Sequence, residues 1–194
     1  SQTSGGPDGY GYTWVDSNDP NGPIYSWVDI ENIDNLVNGL GDDNIIGSFS
    51  IASFKYYWYT VSGLSIGSNG YISFSNPQNI ASPFPIIPTA SGANDFIAPF
   101  LSDLTFTGTN NPGRCYMSTD NMDSTIISYV DVPFWQQANP QYTGSNTFQI
   151  ILCHTDSAII FQYKSMIGIT NGNDITIGIE SVAGSIGLQH SQDT

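Results

Sequence analysis

Two clusters of acids and amides carry the plainest chemistry in this chain. Asp16, Asn18, Asp19 and Asn21 fall within one short stretch, and Asp42, Asp43 and Asn44 are consecutive. Carboxylate and amide oxygens gathered on a flexible loop are what a hard cation such as calcium requires. Neither cluster has the spacing of an EF-hand, which places a glycine at the sixth loop position and a glutamate at the twelfth. Metal-free turns explain the same residues, because Asp and Asn side chains accept backbone N–H groups two residues on. Calcium is the one cofactor these residues suggest, and both explanations stand at this point.

Catalytic groups are harder to find. Glycoside hydrolysis needs two carboxylates facing across a cleft. Asp103 and Glu180, each following an apolar run, are the pair to examine, although a solvated strand end accounts for either. The two histidines, His154 and His190, lie in no nucleophile motif of the GxSxG kind. A P-loop, a dinucleotide fingerprint and an HExxH helix are absent from the sequence. The residues point to a non-enzyme, with an extracellular hydrolase of unrecognised type as the last alternative.

Aromatic side chains offer a binding chemistry instead. Tyr10, Tyr12 and Trp14 alternate, which puts them on one face of an extended segment. In the run from Phe54 to Val61, Phe54, Tyr56 and Trp58 would point one way and Tyr57 and Tyr59 the other. Either set could stack on sugar rings if exposed, and either could be core. The Tyr57/Tyr59 face is the more informative, because the opposite side already supplies three large rings to bury. Cys115 and Cys153 each sit in a strand-like stretch, so a disulfide between neighbouring strands is expected in an oxidising setting. Two buried thiols are the alternative.

These residues need a scaffold, and the sequence describes a β one. The chain of 194 residues has 17 acids against three bases, Lys55, Arg114 and Lys164, for a net charge of -14. Such a surface repels nucleic acid and anionic membrane faces, and leaves most carboxylates to meet water, backbone N–H groups or metal ions. With 10 Phe, 11 Tyr and 4 Trp the chain can build a core, which disordered acidic chains cannot. No apolar run approaches the roughly 20 residues that span a bilayer. The opening Ser1-Gln2-Thr3 reads as that of a processed or excised product.

Period-two runs are expected as strands at Ile24–Ile30, Ile45–Phe49, Phe54–Val61, Tyr71–Phe74, Phe96–Leu104, Arg114–Met117, 124–132, 147–154, 158–164, 175–180 and 185–189. Thr155-Asp156-Ser157 is a tight turn that makes the second and third of the 124–164 runs a hairpin. Ile33 to Leu40 allows a helical turn or two. Residues 75–95 are a Pro-rich connection, and Pro99 marks an edge or bulged position in its run. About ten strands without a good helix or a fixed repeat predict an all-β, two-layer antiparallel β-sandwich of jelly-roll kind, with a barrel as the alternative. Residues 1–194 read as a single domain, with 1–23 an extended N-terminal segment.

Several phrases carry a resemblance across nearly the whole chain. They are Gly11-Tyr12-Thr13-Trp14-Val15-Asp16-Ser17, Ser68-Asn69-Gly70-Tyr71-Ile72-Ser73-Phe74 and Ile97-Ala98-Pro99-Phe100-Leu101-Ser102-Asp103-Leu104. Thr147 to Leu152, Ile160 to Lys164, and Gly178-Ile179-Glu180 with Gly187-Leu188-Gln189 continue the set. The chain resembles β-sandwich modules of large secreted bacterial surface proteins and extracellular peptidases, and more distantly the nidogen-type extracellular domain. The resemblance implies a secreted, cell-surface module with an adhesive or assembly role, and it transfers no catalytic residue. Self-association through sheet edges into a filament or layer is expected, with residues 1–15 as the donor strand and glycans as the alternative partner.

Overall fold

The computed structural model describes residues 2–119, 122–170 and 174–193. Its strands are β1 (Ser4–Gly5), β2 (Trp14–Val15), β3 (Ile45–Tyr56), β4 (Tyr59–Gly67), β5 (Tyr71–Ser73) and β6 (Phe96–Ser102). They continue with β7 (Arg114–Ser118), β8 (Ser124–Trp135), β9 (Tyr142–Cys153), β10 (Ile159–Ile167), β11 (Ile175–Glu180) and β12 (Gly187–Asp193). All pair antiparallel, in a two-stranded sheet β1-β2, a four-stranded sheet β10-β9-β8-β7 and a six-stranded sheet β12-β11-β6-β5-β4-β3. The fold is therefore all-β and broadly sandwich-like. It differs from the expected two-layer jelly roll of about ten strands in its third small sheet and in the twelve strands found among the described residues.

The main core lies between the two large sheets. Leu64, Ile66 and Ile72 from one meet Ile127, Phe148, Ile150 and Leu152 from the other, each side chain being worth roughly 1.5–3 kcal/mol when fully buried. Tyr129 of β8 reaches across, donating its hydroxyl proton toward the carbonyls of Gly67 at 2.7 Å and Tyr71 at 3.1 Å. Tyr163 of β10 makes a second crossing, to the carbonyl of Pro99.

Both outer faces are covered as well. The Pro-rich crossover lays Ile80, Phe84 and Ile87 on Tyr71, Phe96, Ala98 and Leu101 of the six-stranded sheet. On the far side, Ile30 packs on Ile126 and Ile151 of the four-stranded sheet. That two-sided burial explains why every residue of β6 is buried. The segment Ile24–Ile30, expected as a strand, is extended chain outside any sheet. Side-chain amides hold it instead. Gln162 bonds both the N–H and the carbonyl of Ser26, and Gln149 does the same at Val28. Lys164 sits 5.3 Å from the centre of the Trp27 ring. The expected helical turn is a single 3-10 turn at Ile33–Asn35, with Asn32 as its cap.

Bulges set which side chains enter the core, and those in β6 and β8 show how. Between β6 and β11, Leu101 pairs with Thr176 and Ala98 with Gly178, so Pro99 and Phe100 face the single residue Ile177. The extra residue shifts the alternation, and Ile97 and Phe100 both point inward although they are three apart. Pro99 is thus bulged, as expected, but in an interior strand rather than at an edge. In β8 the shift falls between Tyr129 and Val132, where Asp131 takes φ 53°. The turn at Gly70 (φ +80°) is equally constrained, since a Cβ there would lie 2.1 Å from the carbonyl oxygen of Phe100.

Three expectations are corrected. The run Phe54–Val61 is not one strand: Tyr56 pairs with Tyr59, so Tyr57 and Trp58 form the two-residue turn of the β3–β4 hairpin. Residues 4–15 fold back onto their own chain as the β1-β2 hairpin instead of extending as a donor. The disulfide is absent, and Cys115 and Cys153 are both free thiols. Cys115 pairs with Tyr129 and Cys153 with Ser124, five positions apart on β8. An odd separation puts them on opposite faces of the sheet, roughly 16 Å apart along the strand, where a bridge needs Cα atoms within about 7 Å. Cys115 belongs to the inter-sheet core and Cys153 to the outer cluster. Thiol titration in denaturant without reductant is expected to count two thiols per chain, and reductant is expected to leave the melting temperature unchanged; a count of zero would restore the bridge.

Candidate functional site

The β3–β4 hairpin ends in an aromatic tip. Tyr57, in the left-handed region at φ 52°, is fully buried, while its neighbours Trp58 and Tyr59 are 58% and 50% exposed. A bulky residue in that conformation costs about 1–2 kcal/mol, so its surroundings must hold it. Asp8 Oδ1 accepts from the N–H groups of Tyr10, Gly11 and Tyr12, and Asp8 Oδ2 accepts the Tyr57 hydroxyl at 2.9 Å. Tyr12 and Tyr56 lie edge-on to the Tyr57 ring at 4.9 and 4.8 Å, and Tyr10 lies edge-on to Trp58 at 4.9 Å. Burial, with the Asp8 hydrogen bond and charge, pushes the Tyr57 phenol far above its usual range, so it remains a donor. The β1–β2 hairpin thus grips the tip from behind and leaves Trp58 and Tyr59 facing out.

This arrangement sorts the aromatic residues named from sequence. Tyr57 does not share an exposed face with Tyr59, because the turn inverts the alternation. Tyr10 and Tyr12 are half-buried supports. Trp14 sits apart on β2 against His190, ring centres 4.4 Å apart. Trp58 was missed as an exposed ring; the signal was the unbroken Tyr56-Tyr57-Trp58-Tyr59 run, too aromatic for one strand to bury on both faces.

The second feature is an acidic corner where the loop before β3 meets the end of β6. Ligand oxygens of Asp42, Asp43 and Asp103 lie within 4.8 Å of one another. Two oxygens bound to one calcium at about 2.4 Å span at most about 4.8 Å, so the three could hold one such ion. Burial pushes the Asp103 carboxyl up to about 6, helped by Asp43, Asp42 and Asp174. Asp42 is raised by burial, against a lowering bond from Thr105. The corner is fixed by Asn69, which is buried, donates to Asp43 Oδ1 at 2.7 Å and to the Ile80 carbonyl, and accepts from Leu104 N–H. Arg114 donates to the carbonyls of Asn111 and Gly113.

The first loop behaves differently. Asp16 Oδ1 accepts from Asn18 N–H and Asp19 Oδ1 from Asn21 N–H, both Asx turns. Asp16 Oδ2 lies 3.7 Å from His190 Nε2, and Asp19 Oδ2 accepts from Thr3. Asn44 Oδ1 accepts from Gly41 N–H, closing the loop that carries Asp42 and Asp43.

The carboxylates examined for hydrolysis stand apart. Along paired strands Ile175 lies opposite Ser102 and Glu180 opposite Phe96, so Asp103 and Glu180 occupy opposite ends of the sheet, roughly 20 Å apart. Glycosidase pairs are separated by about 5–9.5 Å. Glu180 is buried under the crossover, where Oε2 accepts from Thr89 N–H at 2.8 Å and Asn94, oriented to satisfy both amide ends, donates to Oε1 at 2.8 Å. Burial raises its carboxyl to about 7, with the Thr89 bond opposing. His154 links sheets: the Ser53 carbonyl can only accept, so Nδ1 donates to it at 3.0 Å and Nε2 accepts from Thr125 at 2.9 Å.

These features describe an all-β domain of opposed antiparallel sheets, with an acidic corner able to take a cation and an aromatic hairpin tip. The NIDO related family matches residues 23–194, and the chain belongs to that family. No curated protein and no solved structure matches it. The β1–β2 hairpin lies ahead of the matched span. Among the described residues no helix is long and apolar enough to cross a membrane.

Two outcomes are expected. Calcium in excess over EDTA should raise the melting temperature by about 5–10 °C if the site is near saturation, and Asp103→Asn should remove most of that gain. An unchanged midpoint and no metal retained on elemental analysis would count against the corner. Separately, a carboxyl raised by folding binds its proton more tightly in the folded state, so its stabilisation is lost as pH climbs from 4.5 to about 7. Across that window the unfolding free energy should fall by up to about 3 kcal/mol more in the parent chain than in Glu180→Gln, measured by urea melts. Parallel pH profiles would refute this role for Glu180.

Proposed function

We propose that this chain is a non-catalytic extracellular module for attachment or subunit assembly, a single unit over residues 1–194 that meets its partner through the β3–β4 tip. The observation that carries the reading is the contrast at the tip. Trp58 and Tyr59 are exposed, while Tyr57, Tyr10, Tyr12 and Asp8 immobilise the turn behind them. A pre-ordered aromatic pair loses little conformational freedom on binding, which is why Trp and Tyr dominate contact hot spots. Family membership supports the extracellular setting. The -14 charge suits a partner that is neutral or cationic.

Calcium at Asp42, Asp43 and Asp103 would tie the loop before β3 to the chain leaving β6 and relieve the mutual repulsion of the three acids. A sugar-binding role is favoured by the same tip, since adjacent exposed rings fit the apolar face of a pyranose. Self-association is favoured by β10, the edge of the four-stranded sheet, where Ile160 and Ile167 are exposed. The opposite edge is blocked, because Val37 N–H bonds the carbonyl of Cys115 on β7.

Trp58→Ala and Tyr59→Ala separate the partners. Each should weaken binding on a glycan array or to immobilised copies of the chain at least tenfold while leaving the melting temperature within about 2 °C. Unaltered binding by both variants would remove the tip from the reading. A strictly monomeric chain at high concentration with calcium, bound by no glycan, would end the adhesion and assembly account.

A further inference from the structure

The Asn-Gly pair occurs four times in this chain, at Asn21-Gly22, Asn38-Gly39, Asn69-Gly70 and Asn171-Gly172. Asparagine is thermolabile because the backbone nitrogen of the next residue can attack its side-chain carbonyl carbon, and glycine has no side chain to shield that nitrogen. By sequence the four pairs rank equally. The structure separates three of them, while Asn171-Gly172 lies outside the described residues.

Attack needs a free nitrogen and an amide able to turn toward it. At Asn69 neither condition holds. The side chain is fully buried, donates to Asp43 Oδ1 and to the Ile80 carbonyl, and accepts from Leu104 N–H, while the Gly70 N–H donates to the Gly67 carbonyl. Asn21 is exposed, but the Gly22 N–H donates to the Asp19 carbonyl at 2.9 Å. Asn38 differs on each count. It and Gly39 are exposed, no described residue holds its amide, and none accepts from the Gly39 N–H. Glycine is also needed at position 39, because φ is +99°, a region that residues with a Cβ enter only with strain. The backbone that requires glycine there leaves the reactive pair in the open.

We propose that Asn38 is a self-modification site whose only co-reactants are water and hydroxide. Hydroxide takes the Gly39 amide proton, the nitrogen bonds to Asn38 Cγ, and the Cγ–Nδ2 bond breaks as ammonia leaves with a proton from water. Water then opens the cyclic imide at either carbonyl, giving aspartate or isoaspartate. Each product carries a negative charge that asparagine lacks. In isoaspartate the main chain runs through Cβ and Cγ, one atom longer than before. That atom is added between Val37, whose N–H is anchored on the Cys115 carbonyl, and Gly39, whose carbonyl accepts from Asn44 Nδ2 at 2.8 Å. The lengthened stretch leads directly to Asp42 and Asp43.

Ageing the whole folded chain in mildly alkaline buffer, followed by chymotryptic peptide mapping with mass spectrometry, tests this with internal comparators. Electron-based fragmentation tells isoaspartate from aspartate at each position. Asn38 is expected to convert at least about fivefold faster than Asn21, the factor that one hydrogen bond on the attacking N–H is worth. Asn69 is expected to stay unconverted over the same period. In urea, with the fold lost, the three rates should converge, because the residue pair is the same at each. Conversion at Asn38 no faster than at Asn21, or a preference for Asn38 that persists in urea, overturns the proposal.

Discussion

Seventeen acids face three bases, so the carboxylates of this chain must find partners other than cations. The fold answers with backbone N–H groups and hydroxyls, and the acids become loop organisers. Asp8 gathers three N–H groups and the Tyr57 hydroxyl, which forms the β1–β2 loop and docks it on the tip. Asp95 accepts from Ser75, joining the two ends of the long crossover, and Asp174 accepts from Ser82 and Phe84 within it. Glu180 holds the same crossover at Thr89. At the aspartates each bond to an ionised acceptor is worth about 1.5–3 kcal/mol, more than the exposed ion pairs it replaces, whereas burial makes Glu180 hold its proton up to about 7. Asp42, Asp43 and Asp103 converge as well, although Asn69 bonds Asp43 and Thr105 bonds Asp42. They face one another, and a divalent ion is the chemistry that would offset their repulsion.

The crossover matters because neither large sheet has a water-facing side along its central strands. Apolar residues on both faces of β6, β8 and β9 demand cover. Residues 75–95 and the segment around Ile30 supply it without joining a sheet. Prolines suit the first, since a chain that must not pair in a ladder loses nothing by lacking N–H donors. Glutamines suit the second: Gln149 and Gln162 present an amide to each exposed backbone group of Ser26 and Val28, much as a neighbouring strand would. Segments that composition marks as loops are therefore structural layers here.

Much of the fold was legible in local pattern. The strand runs at 71–74, 96–104, 114–117, 124–132 and 147–164 match β5 to β10, and the β9–β10 hairpin follows its turn. The site was less legible. Tyr57 and Trp58 form a turn that glycine or asparagine would normally occupy, so turn chemistry gave no warning. Asp103 was visible only as an acid after a strand, and its place beside Asp42 and Asp43 depends on a loop 60 residues earlier in the chain. The cysteines misled because proximity in a sheet is not enough. Parity along β8 sends their side chains to opposite faces.

Composition and period alone determined the class: an acidic, aromatic-rich, helix-poor chain must fold as antiparallel sheets, since alternation is a property of neighbouring residues. Tertiary structure decided which rings are exposed, which acids converge and which face each thiol takes. Those outcomes turn on single-residue bulges and on contacts between segments far apart in sequence. One inserted residue inverts every side chain beyond it, and no local signal sums that shift across a sheet.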